Sequence, residues 1–162
     1  MGSPYDIEHQ YHHALETWGE DSLPPLSSIR VTVEPRMTDT CGRAFPKEFR
    51  RRNGQAVRRD YYAITLSEPI FAVVERLAGS EAFEDELNLT IYHELAHISQ
   101  YYMGENGGHS YTFYLRMERL GYTLRNRFHA APTDHVRGSR EPVTWQQVLS
   151  EVATIKRRMS GV

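Results

Sequence analysis

Apolar residues recur along this chain at two different periods, and the points where the period changes divide it into elements. Ile7, Tyr11, Ala14, Leu15 and Trp18 share one face at helical spacing, so residues 5–18 are expected to form an amphipathic helix ended by Gly19. His9 and His13 lie four apart on the opposite face and read as solvated histidines, because no third metal ligand accompanies them. After Leu23-Pro24-Pro25, the alternation from Ile29 to Glu34 is that of a half-buried strand stopped by Pro35. Two more strands are expected over 39–45 and 61–66. The arginine-rich stretch between them reads as a hairpin loop about Asn53-Gly54 or a long excursion.

The second half of the chain is helical in period. Pro69 opens a short helix that runs through Leu77 and closes at Gly79. A longer helix is expected over 81–103, with Glu81, Glu84 and Asp85 in its first turns, where the helix dipole favours acids. Its core stripe is Leu87, Ile91, Leu95, Ile98 and Tyr102. A glycine-rich turn over 104–108 leads into a helix over 109–120 whose stripe is Phe113, Met117 and Leu120, stopped by Gly121. Residues 122–142 have no clear period and are long for a structureless loop, which leaves a lid, a wrap over the domain or a mobile segment as readings. Thr144 and Gln147 have capping-box spacing and open a last helix that buries Trp145, Val148, Val152, Ile155 and Met159. Strands followed by helices imply an α+β domain, with a small, mostly antiparallel sheet packed against the long helix and its neighbours.

Composition narrows the setting without naming a partner. A chain of 162 residues, 40% hydrophobic, fits one domain spanning residues 1–162. The net charge of -2 is ordinary. Cys41 is the sole cysteine, which rules out an internal disulfide and a four-cysteine zinc ribbon and favours a reducing compartment. No run of apolar residues approaches the roughly 18 of a membrane span, so a cytosolic protein without membrane contact is expected.

The chemistry is concentrated at His93-Glu94-Leu95-Ala96-His97, an H-E-x-x-H pattern in the middle of the long helix. Residues four apart on a helix project side by side, so both imidazoles can reach one Zn2+, while Leu87, Ile91, Leu95 and Ile98 face away from them. Glu94 then stands beside the metal as a general base for its bound water. A catalytic zinc takes three protein ligands and keeps one position open. His109, just past the glycine-rich turn, is the favoured third ligand, with Glu105 and Glu118 as competitors. Met103 stands where an H-E-x-x-H-x-x-G-x-x-H arrangement needs its last histidine, and Gln100 where it needs glycine. His129 and His135 read as surface residues. Tyr101, Tyr111 and Arg116 are near enough in sequence to be candidate oxyanion donors.

These residues resemble the SprT-like (Spartan and Wss1-related) metalloproteases. One segment, 90–121, carries His93-Glu94-Leu95-Ala96-His97 followed by Gly108-His109 and then Phe113, Met117, Leu120 and Gly121. A weaker one, 36–67, places Arg36, Thr40, Gly42 and Arg43 before Ile64-Thr65-Leu66-Ser67. The family usually shows Gly-His-Gly at the third ligand, where this chain has Gly108-His109-Ser110, and the cysteine-rich ribbon of many members has no counterpart here. The resemblance implies a minimal zincin-like domain holding one catalytic Zn2+ on His93, His97 and His109. It implies peptide-bond hydrolysis of DNA-associated or DNA-crosslinked proteins, with a nucleoid or nuclear location where the cell has one.

Residues 43–59 bear on that implication. Arg43, Lys47, Arg50, Arg51, Arg52, Arg58 and Arg59 stand there against one acid, Glu48, and Tyr61 and Tyr62 follow at once. Arginines interleaved with aromatics hold single strands through phosphate contacts and base stacking, whereas the same arginines can simply keep an edge strand soluble. The resemblance favours single-stranded or partly single-stranded DNA as a partner. An edge strand such as 62–67 would align an extended protein substrate by strand addition. Two rival readings are a catalytically idle, metal-stabilised DNA-binding or adaptor module, and a general peptidase without a nucleic-acid role.

Overall fold

The computed structural model describes residues 3–122, 133–139 and 142–161. Five α-helices and five strands follow one another along them, with one short 3-10 turn (Leu26–Ser28) ahead of the first strand: α1 (Glu8–Trp18), β1 (Ile29–Glu34), β2 (Gly42–Phe45), β3 (Glu48–Arg50), β4 (Ala56–Arg58), β5 (Tyr62–Ser67), α2 (Glu68–Ala78), α3 (Ser80–Tyr102), α4 (Tyr111–Arg119) and α5 (Trp145–Met159). The class is α+β, as the periodicity implies.

The strands form two small sheets, β1-β5-β2 and β3-β4. β5 runs parallel to β1, from Ile29 opposite Tyr62 to Glu34 opposite Ser67, and antiparallel to β2, from Gly42 opposite Leu66 to Phe45 opposite Ala63. β5 is therefore the central strand, flanked on both sides, and residues 62–67 cannot accept an added substrate strand. The free edges of this sheet belong to β1 and β2. The arginine-rich stretch is a hairpin: β3 and β4 pair antiparallel, and Arg51 N–H donates to Gln55 O at 2.8 Å across the Asn53-Gly54 turn.

Alternation along the strands gives the main sheet two unlike faces. Ile64 and Leu66 of β5 are fully buried and point to the helices, with Val31 and Ala44 packed beside them. Thr65 and Ala63, with Arg30, Thr32 and Phe45, take the other face. On the helical side, Leu87, Ile91, Leu95 and Ile98 of α3 meet Tyr11 and Ala14 of α1 and Phe113 and Met117 of α4. Each of the buried Leu, Ile, Phe and Met side chains among them contributes about 1.5–3 kcal/mol. Tyr102 and Met159, expected in core stripes, are 44% and 40% exposed; each is the last residue of its helix, which there outruns the surface it packs on.

A second cluster joins α2, α5 and residues 133–139. Val136 and Val143 are buried with Ile70, Val74, Trp145, Val148 and Val152. Arg137 N–H donates to Glu86 Oε1 of α3 at 2.9 Å, so the described part of 122–142 is a wrap over the domain. Residues 123–132 and 140–141, with His129, lie outside the described residues. The capping box at Thr144 and Gln147 is present at the start of α5. Among the described residues no helix is long and apolar enough to cross a membrane.

Candidate metal and catalytic site

α3 is an unbroken helix of 23 residues, and His93 and His97 sit one turn apart on the face it turns toward α4. His109 lies two residues before α4, in the turn that brings the chain back. Its Nε2 is 3.0 Å from His93 Nε2 and 3.2 Å from His97 Nε2. Three Nε2 atoms thus converge on one point, and the ligand atoms of this trio all lie within 4.8 Å of one another. Donors bound tetrahedrally at about 2.0–2.1 Å stand about 3.3 Å apart, so the trio fits an ion of zinc's size. The buried ring of Phe113 floors the cluster, with centroids 4.7, 4.8 and 4.8 Å from the rings of His93, His97 and His109.

Burial lowers the pKa of His97, which keeps its imidazole neutral, the form that binds metal. Its tautomer is set by Gln100. The Nδ1 of His97 is 2.9 Å from Gln100 Oε1, so Nδ1–H donates to the amide oxygen and the Nε2 lone pair faces the cluster. Gln100 Nε2 in turn donates to Gly108 O at 2.9 Å and lies 3.3 Å from the hydroxyls of Ser110 and Thr112. One fully buried carboxamide therefore ties the helix carrying two histidines to the turn carrying the third.

Glu94 is buried on the side of α3 that meets β2, and burial pushes its carboxyl up to about 8. That approach depends on Gly42. A Cβ at position 42 would lie 2.9 Å from Glu94 Oε2 and 2.9 Å from Thr90 Cγ2. Ser67 N–H donates to Cys41 O at 2.9 Å, which fixes the alternation of the ladder and turns the main-chain groups of Gly42 and Ala44 outward, away from β5. The free edge of β2 therefore runs beside Glu94. Tyr101 reaches the same edge, with its hydroxyl 3.5 Å from Ala44 O and its pKa raised by burial and then by Glu94. Its ring also explains Gly107, where a Cβ would fall 2.2 Å from Tyr101 Cε1.

The family model for SprT-like proteins matches residues 7–135. The chain belongs to the SprT-like family. No curated protein and no solved structure matches it. In this SprT-like chain the competitors for the third ligand are occupied elsewhere or exposed. Glu105 is gripped at both oxygens by Arg116, at 2.9 and 2.9 Å, which holds its carboxyl below the usual range, and Glu118 faces solvent. Arg116 also donates to Ser99 Oγ at 2.8 Å, and Tyr111 is 77% exposed, so of the three candidate oxyanion donors Tyr101 alone stands at the Glu94 edge. His9, His13 and His135 are exposed.

The basic segment is divided by the fold. Arg43 pairs with Asp39, Arg58 pairs with Glu48 at 2.9 Å, and Arg50 donates to Gly54 O at 3.1 Å. Arg52 is exposed in the hairpin turn. Tyr62 belongs to the helical face with Lys47 Nζ 5.4 Å from its ring, whereas Arg51, Arg59 and Tyr61 line the opposite face of the sheet. Sequence reasoning missed the part that four residues play in shaping these surfaces: Gln100, Phe113, Gly42 and Arg30. For Gln100 a signal was present, since a position three residues after a ligand on a helix is where an imidazole's second nitrogen finds a partner.

Proposed function

We propose that this chain is a zinc-dependent endopeptidase that cleaves proteins associated with DNA. The observation carrying the reading is the convergence of His93, His97 and His109 Nε2 atoms beside a buried glutamate on the same helix. When bound, zinc supplies a Lewis acid for the scissile carbonyl and lowers the pKa of its water toward about 7.

The chain's own residues do the rest. The outward main-chain groups of Gly42 and Ala44 hold an extended substrate by strand addition, which reads backbone and demands little of side chains. Glu94 takes the proton of the attacking water on its carboxylate and passes it to the leaving amine. Gln100 holds His97 in the tautomer that leaves Nε2 for the ion. Tyr101, beside Glu94 and the β2 edge, is placed to donate a hydrogen bond to the developing oxyanion.

The DNA-associated substrate class is supported by family membership and by the arginines and aromatics of 43–62. The test is cleavage of a histone substrate by the zinc-loaded protein, with and without single-stranded DNA, across a salt titration. Stimulation by DNA that fades with salt is expected. Cleavage indifferent to DNA and salt would favour the general-peptidase reading, to which the internal pairing of Arg43 and Arg58 already lends weight.

A further inference from the structure

The face of the main sheet turned away from the helices carries a cleft of about 440 Å³ between the sheet and the β3-β4 hairpin. Its size is that of a small-molecule site. Three arginines, Arg30, Arg51 and Arg59, and three aromatics, Phe45, Phe49 and Tyr61, line it. Arg30 and Arg59 both lie over the Tyr61 ring, with Cζ 4.0 and 4.8 Å from its centroid, and Arg59 is also 4.9 Å from Phe49. Phe45 and Phe49 face each other at 5.0 Å, and the one acid in the lining, Glu34, stands four residues along β1 from Arg30, about 13 Å away.

Arg59 is the telling residue. Its Nη1 lies 3.4 Å from the Tyr61 hydroxyl, but Nε and Nη2 are sealed from solvent with no hydrogen-bond partner among the described residues. A buried guanidinium with unmet donors is costly. The two unmet atoms are neighbours on one edge of the group, and that edge presents two parallel N–H bonds matched to two oxygens of a phosphate or carboxylate. Aromatic rings beside it offer stacking to a planar base.

We propose that this cleft holds one nucleotide unit of a single DNA strand, with its phosphate between Arg30, Arg51 and the Nε–Nη2 edge of Arg59, which a turn of the Arg59 side chain brings from its buried position into the cleft, and its base against the Phe45–Phe49 pair. The proposal rests on the DNA-associated reading above and gives it a place. Phe45 belongs to the same strand whose Gly42 meets Glu94, on the opposite face, so DNA and the protein substrate approach from opposite sides of β2. Arg30, outside the obvious basic segment, becomes part of the site.

The experiment is fluorescence anisotropy of a labelled short oligothymidylate with the full chain, across a salt titration, for wild type, Arg30→Gln, Arg59→Lys and, as a charge-removal control on the exposed end of α5, Arg158→Gln. Circular dichroism and Tm establish that each variant is folded; Arg30 is exposed and partnered only by the Tyr61 ring among the described residues, so its replacement keeps the test open should Arg59→Lys unfold. Removing a charge-assisted hydrogen bond to phosphate predicts about tenfold or greater weakening for Arg30→Gln and Arg59→Lys. The log-log salt slope should flatten by about 0.7 for each phosphate no longer neutralised. Arg158→Gln should bind as wild type. Equal weakening in Arg158→Gln, or none in Arg30→Gln and Arg59→Lys, would overturn the cleft while leaving the DNA-associated reading in place. Competition by an acidic peptide as effective as unlabelled oligonucleotide would overturn the nucleotide assignment. A wild-type protein that binds no single strand would overturn both.

Discussion

Replacing Gln100 by Met removes the carboxamide that joins the two halves of the metal site while leaving an unbranched side chain in its fully buried position. Two effects follow and they are separable. His97 Nδ1–H is deprived of its acceptor at 2.9 Å, which frees the ring to change tautomer and turn. Removal of such an orienting partner lowers metal affinity about 10–100-fold, or about 1.4–2.7 kcal/mol. The turn carrying His109 also forgoes its bond from Gln100 Nε2 to Gly108 O at 2.9 Å. Gly108 is exposed, so water can replace that donor and the cost should stay near the ordinary net value of about 0.5–1.5 kcal/mol. Metal affinity should therefore fall further than the stability of the metal-free protein. The assay is zinc competition against a chromogenic chelator, with Tm recorded with and without zinc. Gln100→Glu serves as the complement, since it keeps an acceptor for Nδ1 but sets an oxygen against Gly108 O; it should retain zinc better than Gln100→Met. A Gln100→Met protein that holds zinc as tightly as wild type would refute the reasoning.

Three further outcomes are expected. Gly42→Ala sets a methyl group 2.9 Å from Glu94 Oε2 and Thr90 Cγ2; overpacking of this kind costs about 1–3 kcal/mol, and a carboxylate displaced by about 1 Å loses about 10²-fold in rate. Peptide cleavage by folded Gly42→Ala at the wild-type rate would count against the role given to Gly42. His109→Ala should release zinc far more readily than Glu105→Ala or Glu118→Ala, measured by metal content after dialysis, and the reverse order would displace His109 as ligand. Burial raises the Glu86 carboxyl above its ordinary range, so the folded state favours the protonated form and stability is lost as pH rises from the unfolded value of about 4.3 toward the folded one. Glu86→Gln keeps an oxygen for Arg137 N–H and removes that pH-dependent destabilisation, so its Tm should gain on wild type as pH rises through this window; parallel Tm profiles would contradict it.

Local patterns in the chain carry most of the helices and strands. The Ile29–Glu34 alternation, the glycines after α1, α2 and α3, and the Thr144 capping box each act within a few residues, so the elements they mark are legible without tertiary information. The H-E-x-x-H histidines are legible for the same reason, because four-residue spacing on a helix fixes their direction. Strand order is not local. Nothing in Tyr62–Ser67 itself says that β1 will pair with it in parallel and β2 from the other side, and so the pattern alone points to the wrong strand as the free edge. The approach of Gly42 to Glu94, the floor made by Phe113 and the position of Arg30 over Tyr61 likewise join residues far apart in sequence. The basic segment shows the same limit: arginine count is visible in sequence, but which arginines are paired on the surface and which line a cleft depends on the hairpin folding over the sheet.

The measurement that bears most directly on the central claim is zinc stoichiometry and peptide-bond cleavage determined on the same preparations of wild type and Glu94→Gln. Glutamine keeps the shape of the side chain and removes its ability to take a proton. Both proteins should carry one zinc on His93, His97 and His109, and cleavage of casein or histone should be found with the wild type and abolished in the variant. Zinc-loaded Glu94→Gln that cleaves as fast as wild type would contradict the assignment of Glu94 as the base, and a wild type that holds zinc yet cleaves neither substrate, with or without single-stranded DNA, would contradict the peptidase itself.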